Sequence, residues 1–279
     1  MSLLNNAVAP IALVGLCGLA FVLGIGHYSQ EQTAIHMRQI EQLRAEAEAI
    51  RHSEQAARVQ ALNTRVAAAR AQQAEFAAKM EETTRAAAIA ALPGDPAKGK
   101  MTYMPCATCH GMQAEGKRVF NAPRLAGQEP WYVRSQLLKF KEGVRGKHPH
   151  DIYGMQMAMA TSLIYNEEVL DNVVAYIASL STGKTVERGK GDATAGKQHY
   201  AVCATCHGVN AQGIETQQAP ALSKQHAWYL ETQLRHFKYG LRGTHKSDLE
   251  GRQMVPVMQA LQDEVFADLV AYIQSLNDL

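Results

Sequence analysis

The pentapeptide Cys106-Ala-Thr-Cys109-His110 recurs 97 residues later as Cys203-Ala-Thr-Cys206-His207, and the sequence around it recurs in the same register. Gly94 aligns with Gly191, Asp95 with Asp192, Gly99 with Gly196 and Tyr103 with Tyr200. The match continues through Pro123/Pro220, Trp131-Tyr132/Trp228-Tyr229, Gln136/Gln233, Phe140/Phe237 and Arg145/Arg242. After a one-residue shift, Val174-Ala175-Tyr176-Ile177 aligns with Val270-Ala271-Tyr272-Ile273. Residues 93–186 and 187–279 are therefore expected to be two copies of one unit, each about 90 residues long.

Each unit has few candidate strands and closes on an amphipathic stretch, such as Val169, Val173, Val174, Ile177 and Leu180 at helical spacing. Asn166 and Gln262-Asp263 offer polar helix starts. Both units read as small all-α domains. A unit of this size makes a marginal core alone, and a large apolar cofactor held covalently would supply the missing buried surface.

Five cysteines in 279 residues are too few for a disulfide scaffold, and four of them lie in the two pentapeptides. Cys-x-x-Cys-His is the signature of c-type haem attachment, in which two thiols add to the haem vinyl groups and the histidine reaches the iron. The i, i+3 spacing puts both thiols on one face of a helical turn. A thioredoxin-like dithiol needs a surrounding βαβ pattern, which is absent, and a zinc site leaves the matched residues downstream unexplained. The motifs predict two covalently bound haem c groups, one on Cys106 and Cys109 and one on Cys203 and Cys206, with His110 and His207 as metal ligands.

The sixth ligand separates electron transfer from catalysis, because an open iron position binds peroxide or oxygen. The second unit offers Met254 and Met258, and the first offers Met155, Met157 and Met159. Alignment through Gly154/Gly251 and Gln156/Gln253 selects Met157 and Met254, with core packing as the alternative use of any of these side chains. A bis-histidine iron would use His148 and His245, which also occupy matching positions and would lower both potentials. These histidines read instead as surface residues in two basic clusters: Lys139, Lys141, Arg145 and Lys147, then Arg235, Lys238, Arg242 and Lys246. Such clusters are placed to steer an acidic redox partner, or are simply a solvated face.

The amino-terminal third is of another kind. With 28 Lys+Arg against 26 Asp+Glu the net charge is +2, which leaves no basic stripe for nucleic acid. Ala7 to Gly26 carries no charge, and as a helix of about 30 Å it would span a bilayer. Residues 1–28 are thus expected to be a transmembrane anchor contacting the inner membrane through 7–26; a cleaved signal peptide ending near Gly24-Ile25-Gly26 is the rival, and Cys17 reads as an inert buried thiol. From His27 to Leu92 there is no Gly and no Pro, and Ala, Glu, Gln and Arg predominate. Residues 29–92 therefore predict one helical stalk, the whole run reaching about 100 Å. Ile40, Leu43, Ala47 and Ile50 fit one heptad register, and Val59, Leu62, Val66, Ala69, Phe76 and Met80 a second. A coiled coil, a partner subunit or a solitary charged helix each fit that pattern. Pro93-Gly94 ends it.

Residues 94–279 resemble the diheme class I cytochromes c of the cytochrome c4 type. The likeness rests on Gly-Asp-x-x-x-Gly-Lys before each haem motif and on Ala122-Pro123-Arg124-Leu125-Ala126-Gly127-Gln128. It rests also on Gln136-Leu137-x-x-Phe140-Lys141-x-Gly143-x-Arg145, Gln156-Met157-Ala158 and Ala175-Tyr176-Ile177. The resemblance implies two tandem cytochrome c domains that shuttle electrons in the bacterial periplasm, with no bond-making chemistry. It also implies proximal ligands His110 and His207, distal ligands Met157 and Met254, and carbonyls of Pro123 and Pro220 that accept a hydrogen bond from the proximal imidazole. The first unit departs from the second in lacking a counterpart of Pro256 and, by one residue, in length there, and the stalk has no counterpart in soluble members.

The expectation is a single-pass protein of the bacterial inner membrane with its haem domains in the periplasm. It would carry single electrons from a quinol-oxidising complex to a terminal oxidase or another reductase. The alternatives are a permanent electron-wiring subunit of a larger membrane redox complex, with an oligomer or partner subunit formed through the stalk, and a diheme peroxidase, which needs one iron without a protein sixth ligand.

Overall fold

With no glycine or proline to interrupt it beyond Gly26, the amino-terminal segment forms one helix, α1, Ala9–Ala90. The computed structural model describes residues 9–180 and 186–276, and only the backbone of residues 9–23, 25 and 81. The side chains of the expected membrane segment at 7–26, Cys17 among them, therefore lie largely outside what is described; among the described residues, no helix is long and apolar enough to cross a membrane. The chain divides into residues 1–81 and residues 82–279. In the first division every described side chain is exposed, including the heptad residues Ile40, Leu43, Ile50, Val59, Leu62, Val66 and Phe76.

The second division begins with the last turns of α1, where the Arg85 guanidinium donates to the carbonyls of Ala178, at 2.6 Å, and Leu180. Two sets of four helices follow. The first is α2 (Pro96–His110), α3 (Pro130–Lys141), α4 (Ile152–Ala160) and α5 (Glu167–Ser179). The second is α6 (Ala193–His207), α7 (Ala227–Lys238), α8 (Leu249–Gln259) and α9 (Val265–Ser275). Among the described residues there is no strand, only the isolated bridges Lys117 to Ala122 and Ile214 to Ala219.

The matched residues of the repeats do matched work. Asp95 caps α2 by accepting from the Ala97 amide at 2.8 Å, and Asp192 caps α6 by accepting from Thr194 at the same distance. The Asp95 amide is itself held by Asn172 Oδ1, and that of Asp192 by Asp268 Oδ1, so each cap ties the first helix of its repeat to the last. Those helices cross at glycine. A Cβ on Gly99 would stand 1.9 Å from the Asn172 carbonyl oxygen, and one on Gly196 2.0 Å from that of Asp268. One turn on, Tyr103 and Tyr200 are buried against Tyr176 and Tyr272, with ring centroids 5.3 and 5.4 Å apart. Leu170, Val173, Val174 and Ile177 complete the first core, and Leu269, Val270 and Ile273 the second.

Because backbone lies where the missing Cβ would go, Gly99→Ala and Gly196→Ala should each force the helices apart and destabilise the repeat that carries them, by about 1–3 kcal/mol. The denaturant midpoint of the haem-loaded protein measures this, and an unchanged midpoint for either variant would contradict the crossing described.

Candidate functional site

The cysteine pairs sit on the last turns of α2 and α6, one helical turn apart, with His110 and His207 as the final helical residues. Gly111, at φ +84°, ends α2 and turns the chain back beneath it. The returning loop is held by the Gly116 amide on the His110 carbonyl at 2.8 Å, and by the Leu125 and Ala126 amides on the Ala114 carbonyl at 2.8 and 3.1 Å. Gly116 combines φ +84° with a backbone approach that would leave a Cβ only 2.6 Å from the Arg124 nitrogen, so only glycine fits the loop there.

The loop delivers the carbonyl of Pro123 to within 2.9 Å of His110 Nδ1, and its counterpart delivers Pro220 to within 2.8 Å of His207 Nδ1. A carbonyl only accepts, so each Nδ1 carries the proton and each Nε2 keeps a bare lone pair, the form a metal needs. Burial, opposed by the proline bond, holds both imidazoles below the ordinary histidine pKa. Burial also raises the Cys106 thiol and pushes Cys203 up to about 11.

Both histidines line a cavity of about 550 Å³ shared by the two repeats. Its other walls include Cys106, Cys109, Pro123 and Met157 of the first repeat and Cys203, Cys206, Pro220 and Met254 of the second. Met155 and Met159 do not line it, and Met159 is 68% exposed. Met258 lines it but is wholly buried, packed with Phe237 and Phe266. His148 and His245 stay outside. Four nitrogens on cavity-lining side chains, Gln128 Nε2, Arg145 Nε, His236 Nδ1 and Arg242 Nε, are buried without a hydrogen-bond partner among the described residues. Paired thiols, a metal-ready imidazole, apolar walls and spare buried donors suited to carboxylates are what a haem with two propionates requires, so these residues fit haem c.

The basic clusters require a correction. They are not two solvated faces presented to a partner. Arg145 is buried and donates across the repeat boundary to Gln233 Oε1 at 2.8 Å and to the Tyr229 hydroxyl at 3.1 Å. Arg242 makes the mirror-image bonds to Gln136 Oε1 and the Tyr132 hydroxyl, both at 3.1 Å. Each guanidinium also lies over a phenylalanine of its own repeat, Phe140 or Phe237, at 4.5 and 4.6 Å. Lys139 pairs across the boundary with Asp248 and Glu250, Lys141 donates to the Ile164 carbonyl, and Arg235 and Lys238 pair with Asp263. Of the eight residues named, Lys147 and Lys246 remain on the surface with no bond of this kind described. The network of Arg145, Arg242, Tyr132, Tyr229, Gln136 and Gln233 across the repeat boundary was not legible in the sequence, although all six stand at matched repeat positions. A buried charge survives because its donors find acceptors, here contributed by both repeats: Arg145 also donates to Gln136 and Arg242 to Gln233.

Further bonds close the same boundary. Gln225 exchanges two hydrogen bonds with the Arg124 backbone at 3.0 and 2.8 Å. His226 Nε2 donates to the Glu115 carbonyl at 2.6 Å, and Glu129 accepts from the Ala221 amide at 3.0 Å.

A family model described as cytochrome c matches residues 96–181 and 193–277. Cytochrome c4 of Pseudomonas aeruginosa is 30% identical over 68% of this chain and 92% of its own. The CcoP subunit of the cbb3-type cytochrome c oxidase of Rubrivivax gelatinosus is 31% identical over 75% of this chain, which spans 63% of that subunit. The crystal structure of reduced cytochrome c4 from Pseudomonas stutzeri superimposes with a TM-score of 0.52 at 26% identity, covering 65% of this chain and 98% of that one.

Two thioether-linked haems should resist acid-acetone extraction and appear as two haem additions in the intact mass. Cys109→Ala and Cys206→Ala should each weaken attachment at one site only, read as a mass deficit and a shifted pyridine-haemochrome band; fewer than two additions on the parent protein would refute the assignment.

Proposed function

The chain belongs to the cytochrome c family, carrying two of its domains in tandem, each with a covalently bound haem c, and from that premise we propose that it is a membrane-anchored periplasmic carrier of single electrons. In this reading residues 7–26 hold it in the bacterial inner membrane by a single pass. The donor is a quinol-oxidising complex and the acceptor a terminal oxidase or another reductase. The observation that carries the proposal is the shared cavity, to which each repeat contributes two thiols, one tautomer-locked histidine and one aligned methionine.

Bound haem c supplies a one-electron iron couple. The chain's own residues do the rest. Cys106 and Cys109, and Cys203 and Cys206, tether the cofactors. The Pro123 and Pro220 carbonyls orient His110 and His207 and increase their basicity toward iron. Met157 and Met254 would each offer a thioether to the iron, which would raise both potentials and keep peroxide from binding. Apolar side chains such as Ile164 and Ile177 in one repeat, and Met258 and Ile273 in the other, exclude water from the walls. The buried arginine network holds one repeat rigidly on the other, so the spacing between the two sites stays constant as the charge changes.

A second reading, a permanent electron-wiring subunit of a larger complex, is favoured by the likeness to an oxidase subunit and by the exposed heptad residues of α1. The apolar positions along 29–92 would then engage a partner subunit or a second copy as a coiled coil. Purification from membranes separates the two: a carrier elutes free, whereas a wiring subunit brings a stoichiometric enzyme with it.

The methionine ligands predict a weak near-infrared sulfur-to-iron band in the oxidised protein. Met157→His and Met254→His should each remove about half of it, since each variant replaces one of two thioethers. Reduced protein mixed with peroxide in a stopped-flow cell should reoxidise negligibly. A full-strength band in Met157→His would reassign the first ligand, and fast reoxidation with a high-spin resting signal would make the protein a peroxidase.

A further inference from the structure

Positions 139 and 236 are equivalent in the two repeats, and at the boundary they differ in kind. Lys139, on α3, crosses to the second repeat and meets Asp248 Oδ1 at 2.6 Å and Glu250 at 2.8 Å. His236, on α7, faces the equivalent Asp151 of the first repeat with Nδ1 3.9 Å from Oδ1, too far for a hydrogen bond. The equivalent of Glu250 is Tyr153, so no second carboxylate waits there. One boundary contact is thus a permanent ion pair, and its twin is an uncommitted imidazole.

Both carboxylates have a second duty. Asp151 is the N-cap of α4 and Asp248 the N-cap of α8, the helices that carry Met157 and Met254. In each case the oxygen that faces the other repeat is the oxygen that takes the cap bond. Asp151 Oδ1 accepts from the Gly154 amide at 2.9 Å, whereas Asp248 Oδ1, already engaged by Lys139, accepts from Gly251 at 3.2 Å. The cap is longer where a cation draws on the same oxygen, as competition for one acceptor requires.

His236 Nδ1 is buried and has no hydrogen-bond partner among the described residues. The groups facing the ring are Asp151 at the start of α4, Arg145 and His148 on the segment before it, and Arg242 on the segment after α7. With the ring neutral, Lys139, Arg145 and Arg242 balance Asp151, Asp248 and Glu250 around the boundary, and a proton on His236 leaves one positive charge in excess.

Resting on the reading of Met157 as an iron ligand, we propose that His236 is a proton-operated positioning residue for α4. Neutral, it leaves Asp151 Oδ1 to the Gly154 amide. Protonated, it draws on that oxygen as Lys139 draws on Asp248 Oδ1, and the first ligand-bearing helix takes on the cap of the second. Burial, the largest influence on the ring, lowers its affinity for the proton; Asp151 raises it, and Arg145, Arg242 and His148 lower it. The ring therefore titrates below the ordinary histidine value, and the switch operates on the acid side of neutrality. The added positive charge disfavours the more positive, oxidised iron, so the potential of the Met157 site rises as the pH falls through this range.

The test is an amide titration of the reduced, 15N-labelled full-length holoprotein between about pH 8 and about pH 5. The Gly154 resonance should move with the same midpoint as the His236 ring while Gly251 stays still. His236→Gln should hold Gly154 at its high-pH position throughout, and His236→Lys should hold it at the low-pH position. Lys139→Gln, which frees Asp248 without touching His236, should move Gly251 in the direction opposite to the acid shift of Gly154. A redox titration should show the pH-dependent rise of one potential in the parent and its absence in His236→Gln. A flat Gly154 amide, or one that titrates unaltered in His236→Gln, overturns the switch; if the sulfur-to-iron band still reports Met157, the ligand assignment stands without it. A Gly154 titration that tracks His236 while Met157→His keeps the full band upholds the switch and overturns the ligand assignment alone.

Discussion

His110 donates its Nδ1 proton to the carbonyl of Pro123 at 2.9 Å, and His207 does the same to Pro220 at 2.8 Å. The rest of each repeat is arranged so that this bond can form. The first helix must end on the histidine, which Gly111 and Gly208 ensure by leaving the helical region at φ +84° and +82°. The loop must return within a dozen residues, which the Gly116 and Gly213 amides achieve by closing on the histidine carbonyls at 2.8 and 2.9 Å. The first helix must also lie at one depth against the last, which Gly99 and Gly196 permit by letting backbone touch backbone. The reward is a neutral imidazole with a known tautomer, buried beside two thiols.

The two repeats also bury polar surface against each other. The arrangement is self-complementary: Arg145 takes Tyr229 and Gln233, and Arg242 takes Tyr132 and Gln136. A buried guanidinium is costly unless its donors are met, and each arginine completes its acceptors with a glutamine and a tyrosine of the other repeat beside the glutamine of its own. Duplication made this pairing easy to reach, because one surface that fits itself needs to arise only once. The symmetry is nonetheless broken at Lys139 and His236, and the break falls on the carboxylates that cap the methionine-bearing helices. Two sites built from one template thereby acquire different electrostatic surroundings.

Local chemistry was readable from residues alone wherever it depended on short spacing. Asn166 was recognisable as a helix start, and its side chain does accept from the Val169 amide. The start assigned to Gln262-Asp263 turned out differently: α9 begins after Glu264 without a side-chain cap, and Asp263 is instead drawn to Arg235, Lys238 and Tyr239. A short polar side chain before an apolar run has two possible uses, and only its neighbours in space decide between them. The same ambiguity governed Arg145 and Arg242. A run of basic residues looks alike whether water or another subdomain faces it.

The amino-acid sequence by itself determined the duplication, the helical class, the cysteine and histidine positions and the family, because these follow from periodicity, helix propensity and motifs spanning a few residues. It also singled out Met157 and Met254 by repeat register. Only the tertiary structure decided that the two repeats share one cavity, that Met155 and Met159 lie outside it, and that Lys139, Arg145 and Arg242 of the basic clusters are spent at an internal boundary. The physical reason is that a side chain's charge and shape are local properties, whereas its dielectric surroundings and its hydrogen-bond partners are supplied by residues about a hundred positions away and exist only once the chain has folded.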